Sequence, residues 1–337
     1  GCMWIEDAQG LRQAAYPGSV SLNPGWTIVH LTGYHQHEGR TMPYAFGLKN
    51  AVTIMNPTQF IAPQLAGDFN GDGITDLATF TPSSGRWSVS VSRGSGFSPE
   101  TAWLTGFGGA SSTPLVGDWN ADGRTDIGVY TGGSWQFAAS TAAGFQTGAV
   151  SSISFGSGTP LTGDFNGDGT VDIGTYNNGS WQVGLGTGTG FMSTSSFNRT
   201  LGSASSSPLT GDFNGDGLTD IATVDGGTLS VALSDGTAFG PSAPWLTGFS
   251  GGNYTSADFN GDGLTDVARF DQSAGRLHVA RSTGTSFSPP QPLAPTFTQR
   301  SADDQVQIGD FNGDGLADPA VFNAVTSASE LANSAGT

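Results

Sequence analysis

Gly67–Asp76 reads GDFNGDGITD, and the phrase returns five more times along the chain. The other copies are Gly117–Asp126 (GDWNADGRTD), Gly163–Asp172 (GDFNGDGTVD), Gly211–Asp220 (GDFNGDGLTD), Ala257–Asp266 (ADFNGDGLTD) and Gly309–Asp318 (GDFNGDGLAD). Their first aspartates, Asp68, Asp118, Asp164, Asp212, Asp258 and Asp310, lie 50, 46, 48, 46 and 52 residues apart. A fixed step of this size marks a repeat architecture, and a period of about 40–50 residues suits the four-stranded blades of a propeller.

Every copy keeps the pattern D-x-N-x-D-G-x-x-D. Oxygen side chains at alternating positions of a tight loop can converge on one centre, and a calcium ion accepts roughly six to eight such ligands at loosely defined angles. Four side chains per loop are candidate ligands: Asp68, Asn70, Asp72 and Asp76; Asp118, Asn120, Asp122 and Asp126; Asp164, Asn166, Asp168 and Asp172; Asp212, Asn214, Asp216 and Asp220; Asp258, Asn260, Asp262 and Asp266; Asp310, Asn312, Asp314 and Asp318. The seventh position (Ile74, Arg124, Thr170, Leu218, Leu264 and Leu316) would offer its backbone carbonyl. Glycine at position six supplies the positive φ that a sharp loop needs. The aromatic at position two, Phe69 in the first copy, is expected to point away from the ion and into the core. An EF-hand would need a bidentate Glu at position twelve, where this chain has Thr79, Val129, Thr175, Thr223, Arg269 and Val321. About six structural calcium ions are expected.

The residues between the loops read as short strands. In the second copy Pro114–Gly117 enters the loop and Asp126–Tyr130 leaves it. Trp135–Ser140 follows a Gly-Gly turn, and an irregular fourth strand ends near Ile153–Phe155. Short β-branched and aromatic runs separated by Gly-rich turns make one antiparallel blade. Third strands begin at Trp87, Trp135 and Trp181, with Leu229 and Leu277 in the same place. The fourth-strand phrase WLTGF occurs at Trp103–Phe107 and Trp245–Phe249. The expectation is therefore an all-β protein, one β-propeller over residues 1–337 with six calcium-loop blades across 61–337. Residues 12–60 have the length of a blade without the loop, which makes seven. Residues 1–11, where Met3–Asp7 (MWIED) resembles WLTGF, would supply the fourth strand of the last blade and close the ring. Six blades plus an N-terminal insertion is the alternative.

Composition narrows the function. The chain has 337 residues, 36% hydrophobic and 12% charged, with 53 glycines and one cysteine. That is too apolar for an acidic disordered chain, and one cysteine excludes a disulfide framework. No run of about 18 apolar residues exists to span a membrane. The formal charge is −17 with one lysine, Lys49, which disfavours a grip on nucleic-acid phosphates. Neither GxSxG, HExxH nor a Walker loop occurs. Low lysine content and loops suited to millimolar calcium fit a secreted or cell-surface protein.

The acidic phrase followed by a DIGVY-like strand resembles the FG-GAP or VCBS-type repeat of integrin α-subunit propellers, bacterial secreted proteins and fungal propeller lectins, over about residues 60–337. The resemblance implies a propeller whose calcium ions brace the hairpin between the first two strands of each blade.

Two further groups of residues are candidates for function. HLTGYHQHEGRTMPY at residues 30–44 holds three of the four histidines. Tyr34, His35, His37, Arg40 and Tyr44 there are candidates for metal binding or for lyase-like or hydrolytic acid–base chemistry, against a plain polar loop. Trp87, Trp135 and Trp181 recur at one blade position and read as interblade packing or, alternatively, as platforms for sugar rings. The leading expectation is non-catalytic recognition of carbohydrate or glycoprotein through repeated shallow sites. A polysaccharide lyase or hydrolase and a protein-docking adhesion module are the alternatives.

Overall fold

The computed structural model describes residues 64–94, 96–293, 296–297 and 304–323, together with strand backbone at 3–6, 12–15, 28–30, 34–37, 40–43 and 328–331. The chain forms two compact units, Gly1–Phe60 and Ile61–Thr337. In the first unit Met3–Glu6 lies between Arg12–Ala15 and Ile28–His30, and Tyr34–His37 pairs with Arg40–Pro43. Both edges of Met3–Glu6 are thus taken within its own unit. This differs from the expected closing strand on the last blade. A strand of four residues does not specify its partner.

The second unit is a β-propeller. Its first blade runs Gln64–Gly67, Asp76–Thr81, Arg86–Ser90 and Thr101–Leu104. The second runs Thr113–Gly117, Asp126–Thr131, Ser134–Ser140 and Phe145–Thr147, with Ile153–Ser154 also paired to the third strand. The third comprises Thr159–Gly163, Asp172–Asn177, Ser180–Gly186 and Phe191–Thr200. The fourth comprises Ser207–Gly211, Asp220–Asp225, Thr228–Ala232 and Ala243–Leu246, and the fifth Asn253–Ala257, Asp266–Asp271, Arg276–Ala280 and Gln291–Pro292. A three-stranded sheet on the same plan follows: Asp304–Gly309, Asp318–Asn323 and Ala328–Leu331.

Neighbouring sheets are tied loop to loop. The amide at loop position eight donates to the carbonyl of the first aspartate in the preceding loop. The pairs are Thr125 to Asp68 (2.8 Å), Val171 to Asp118 (3.2 Å), Thr219 to Asp164 (2.7 Å), Thr265 to Asp212 (2.7 Å), Ala317 to Asp258 (3.0 Å) and Thr75 to Asp310 (2.8 Å). The last two bonds set the three-stranded sheet between the fifth blade and the first, and the circuit closes inside Ile61–Thr337. Most of residues 12–60, expected as a seventh blade, lie outside the described residues.

Aromatic side chains fill the spaces between blades. The position-two aromatics Phe69, Trp119, Phe165, Phe213, Phe259 and Phe311 are all buried, as their spacing predicts. On each of five of them rests a phenylalanine from the turn after the third strand of the next blade. Phe145 meets Phe69 at 5.7 Å, Phe191 meets Trp119 at 6.2 Å, Phe239 meets Phe165 at 5.6 Å, Phe287 meets Phe213 at 5.7 Å and Phe97 meets Phe311 at 5.8 Å. Edge-on rings at these separations add to the energy of burial, about 0.5–1.5 kcal/mol per pair.

Candidate functional site

The acidic loops share one hydrogen-bond plan. The first aspartate folds the loop around itself: Asp68 Oδ2 accepts from Gly73 N at 2.8 Å and Oδ1 from Gly71 N at 2.7 Å. The asparagine amide donates to the next aspartate, as Asn70 Nδ2 does to Asp72 Oδ2 at 2.9 Å, and Asp72 Oδ1 accepts from Ile74 N at 2.9 Å. Equivalent bonds recur in the fourth loop, with Gly217 N on Asp212 Oδ2, Asn214 Nδ2 on Asp216 Oδ2 and Leu218 N on Asp216 Oδ1. Position six holds φ between +83° and +85° in every loop, which explains its invariant glycine.

The ninth-position aspartate differs from the others. Asp76, Asp126, Asp172, Asp220, Asp266 and Asp318 are fully buried at the start of each second strand. Asp220 Oδ2 accepts from Phe213 N (3.0 Å) and its Oδ1 from Ser234 N (2.7 Å), so one carboxylate joins the loop to the end of the third strand. Asp76, Asp126, Asp172 and Asp266 make the same two contacts. Burial pushes Asp126, Asp172 and Asp220 up to about 7, and Asp76 and Asp266 to about 6. Backbone amides oppose the shift, while the charges of the first and fifth loop aspartates add to it.

Among the described residues no three Asp, Glu, His or Cys side chains stand together as a ready metal cluster. The calcium reading depends on the mixed donor set of carboxylate, amide oxygen and backbone carbonyl. That set fits a hard cation. Each loop gathers carboxylates near enough to disfavour one another's ionisation, and a divalent cation reverses that effect. The buried aspartate of each repeat is consistent with calcium sites.

The tryptophan alternative is corrected. Trp87, Trp135 and Trp181 are wholly buried, and their indole nitrogens donate to the carbonyls of Phe107 (3.1 Å), Phe155 (3.0 Å) and Leu201 (3.2 Å). Trp87 packs with Ile127 and Phe145 of the next blade. These rings are interblade core and present no face to a sugar. Trp103 and Trp245 are half-buried against the same cores.

The histidine group falls on the hairpin Tyr34–His37/Arg40–Pro43, with His35 opposite Met42 and His37 opposite Arg40. Its side chains, and the whole of Tyr44, lie outside the described residues. One polar site was not anticipated. A hollow of about 300 Å³ is lined by Gly251, Gly252, Asn253, Arg269, Asp271 and Gln272, with Phe270 beneath. Arg269 donates to Gly251 O at 2.9 Å. Asp271 is held below the usual carboxylate range, first by the Ser273 hydroxyl and then by the Ala274 amide, with Arg269 contributing. The sequence signal was arginine at loop position twelve, where the other repeats carry Thr or Val.

A closed arrangement of antiparallel blades, each carrying one acidic loop between its first two strands, defines a repeat β-propeller. The chain belongs to the FG-GAP-like repeat family, whose model matches residues 68–129, 164–223, 212–268 and 258–321, well over half of the chain. Among solved structures it is similar to an Agrocybe aegerita lectin studied for specific recognition of non-reducing terminal N-acetylglucosamine. That likeness has 20% identity and a TM-score of 0.57, over 77% of this chain and 74% of that one. It is also similar to part of the Photorhabdus luminescens Tc holotoxin pore, with 16% identity and a TM-score of 0.52 over 95% of this chain and 15% of that one. At these identities the likeness establishes the fold. No curated protein matches the chain in sequence. Among the described residues no helix is long and apolar enough to cross a membrane.

Proposed function

We propose that this protein is a secreted, calcium-braced propeller of six blades that recognises carbohydrate without catalysis. The carrying observation is repetition: the same loop, the same buried aspartate and the same interblade aromatic pair recur around one ring. Repetition places similar surface at regular intervals, and several weak sites then act together as one avid surface. The likeness to a propeller lectin supports sugar as the ligand class.

Each loop holds one calcium ion through its first, third, fifth and ninth side chains and its seventh carbonyl. In the first loop these are Asp68, Asn70, Asp72, Asp76 and the carbonyl of Ile74. The ion fastens the loop that the amide at position eight ties to its neighbour, so metal binding and ring order are coupled. With the tryptophans buried, the hollow around Asn253, Arg269 and Asp271 in the fifth blade is the candidate for the strongest sugar contact, beside weaker contacts offered by the repeated surface of the other blades. Planar amide, guanidinium and carboxylate groups pair with vicinal hydroxyls through two hydrogen bonds at once.

The test is a glycan array on the calcium-loaded chain, followed by titration of the strongest binder against Arg269→Ala. Saturable binding that weakens at least tenfold in the variant, with an unchanged melting temperature, is expected. Absence of binding to any glycan, or release of unsaturated or reducing sugar from a polysaccharide, contradicts the reading.

A further inference from the structure

We propose that Arg124 makes the second acidic loop the weakest calcium site of the ring, so that the joint between the second and third blades loosens first as calcium falls. The inference rests on the calcium reading of the loops and concerns how they differ. At loop position seven the other copies carry Ile74, Thr170, Leu218, Leu264 and Leu316, and the second alone carries a cation. Arg124 Nη2 donates to Asp122 Oδ2 at 2.6 Å, and Arg124 Nε donates to Ser140 O at 3.3 Å. The same carboxylate oxygen also accepts from Asn120 Nδ2 at 3.0 Å, as its counterparts do in the other loops. Asp122 is one of the four side-chain ligands of its loop. A guanidinium stays charged throughout the neutral range. It repels an incoming divalent ion and competes with that ion for the Asp122 carboxylate.

The backbone of the same loop departs from the others. Position four is glycine in the other five copies, and its amide donates to the first aspartate at 2.6 to 2.7 Å, from Gly71, Gly167, Gly215, Gly261 and Gly313. The second loop has Ala121 there, at φ +57°, a conformation that a side chain resists. Asp118 Oδ1 accepts from Asp122 N at 3.1 Å, and among the described residues Ala121 N makes no bond to it. Asp118 is thus held by one amide fewer than Asp68, which accepts from both Gly71 N and Asp72 N through the same oxygen. The first and the fifth ligands of the loop are therefore both less well prepared for an ion.

The joint that this loop makes with the third blade is weak in its own geometry. Val171 N to Asp118 O, at 3.2 Å, is the longest of the six loop-to-loop bonds. Trp119 Nε1, the Tyr130 hydroxyl and Thr175 Oγ1 are buried at this boundary, each without a hydrogen-bond partner among the described residues. At the next boundary Tyr176, which takes the place of Tyr130, donates its hydroxyl to Ser203 O at 2.5 Å. Buried polar groups without partners lower local stability. An ion in the second loop fastens Asp118, and its early loss frees the joint with the least other support.

The test withdraws calcium stepwise from the loaded full chain with graded chelator and counts the ions retained. In the wild type one ion should leave at roughly tenfold or more higher free calcium than the other five, the scale of one unit charge at contact distance. Arg124→Leu gives the second loop the residue of the last three loops and keeps a side chain over Gly71, as Leu218 lies over Gly167. In that variant the six ions should leave together, while Arg124→Lys, which keeps the charge, should keep the early step. Hydrogen exchange on the wild type decides the point without a variant: once the first ion has left, the Val171 amide should exchange faster than those of Thr219 and Thr265. Six equivalent ions, an early step unchanged in Arg124→Leu, a Lys variant that behaves as the Leu variant, or equal protection of the three amides overturns the proposal and leaves the calcium reading standing. A chain that binds no calcium overturns both.

Discussion

At the scale of single residues, the glycine before each acidic loop has a definite cause. A Cβ built on Gly211 would lie 2.9 Å from Thr265 Cβ of the next loop, with other atoms of that side chain also too close. Gly67 meets Thr125, Gly163 meets Thr219 and Gly309 meets Thr75 in the same way. The fifth copy departs at both positions together: Ala257 replaces the glycine, and the facing loop carries Ala317 instead of Thr. A methyl group is gained on one side as the larger side chain is lost on the other. Gly211→Ala should therefore destabilise the chain by about 1–3 kcal/mol through overpacking. Adding Thr265→Ala should recover most of that loss, as read by denaturant unfolding of the two single variants and the double variant. Strictly additive losses would show that the contact is not the cause.

At the scale of the element, the loop-and-strand unit was legible because its chemistry dictates residue types at fixed spacing. Acidic and amide side chains alternate, a glycine must take positive φ at position six, and an aromatic must turn inward at position two. The ninth aspartate was readable as a candidate ligand. Its contact with the third strand was not, because a backbone amide leaves no mark on the sequence. The recurrent phenylalanine after the third strand carried a signal in Ser92 to Phe97, Ser140 to Phe145, Ser234 to Phe239 and Ser282 to Phe287, yet it reads as ordinary packing until its partner is known. Phe287→Ala should cost about 3–5 kcal/mol, since it empties a site between two blades; a loss below about 1 kcal/mol in chemical denaturation contradicts that role. The buried aspartates also predict a pH effect. Their folded values lie above the ordinary carboxylate value, so in metal-free protein their contribution is fully present below about pH 4 and is lost as pH rises through about 6 to 7. Asp225, Asp235 and Asp271 shift downward and oppose this, but they are exposed and solvent-screened. Chelated and dialysed protein should melt higher at pH 5 than at pH 8, and saturating calcium should reverse the order. The same order with and without calcium would separate these aspartates from the metal.

At the scale of the whole molecule, period alone identified a propeller, while the blade count needed the structure. Length divided by period suggested seven blades. The hydrogen-bond circuit instead returns from Asp310 to Thr75 within Ile61–Thr337, and the N-terminal strand Met3–Glu6 takes its partners from Arg12–Ala15 and Ile28–His30. Strand pairing between distant segments is set by the assembled ring, so no local pattern reveals it. The ring also concentrates charge, because much of the formal −17 lies in its loops. Without counter-charge the carboxylates within each loop repel one another, and in the proposed calcium-loaded state the loops would be the joints of the assembly. The most direct measurement of this account is calcium content by elemental analysis, paired with melting before and after chelation. The account predicts six calcium ions per chain, a large fall in melting temperature on their removal, and recovery when calcium is restored. A purified, folded chain with no bound calcium, whose melting temperature is indifferent to both chelator and added calcium, would contradict it.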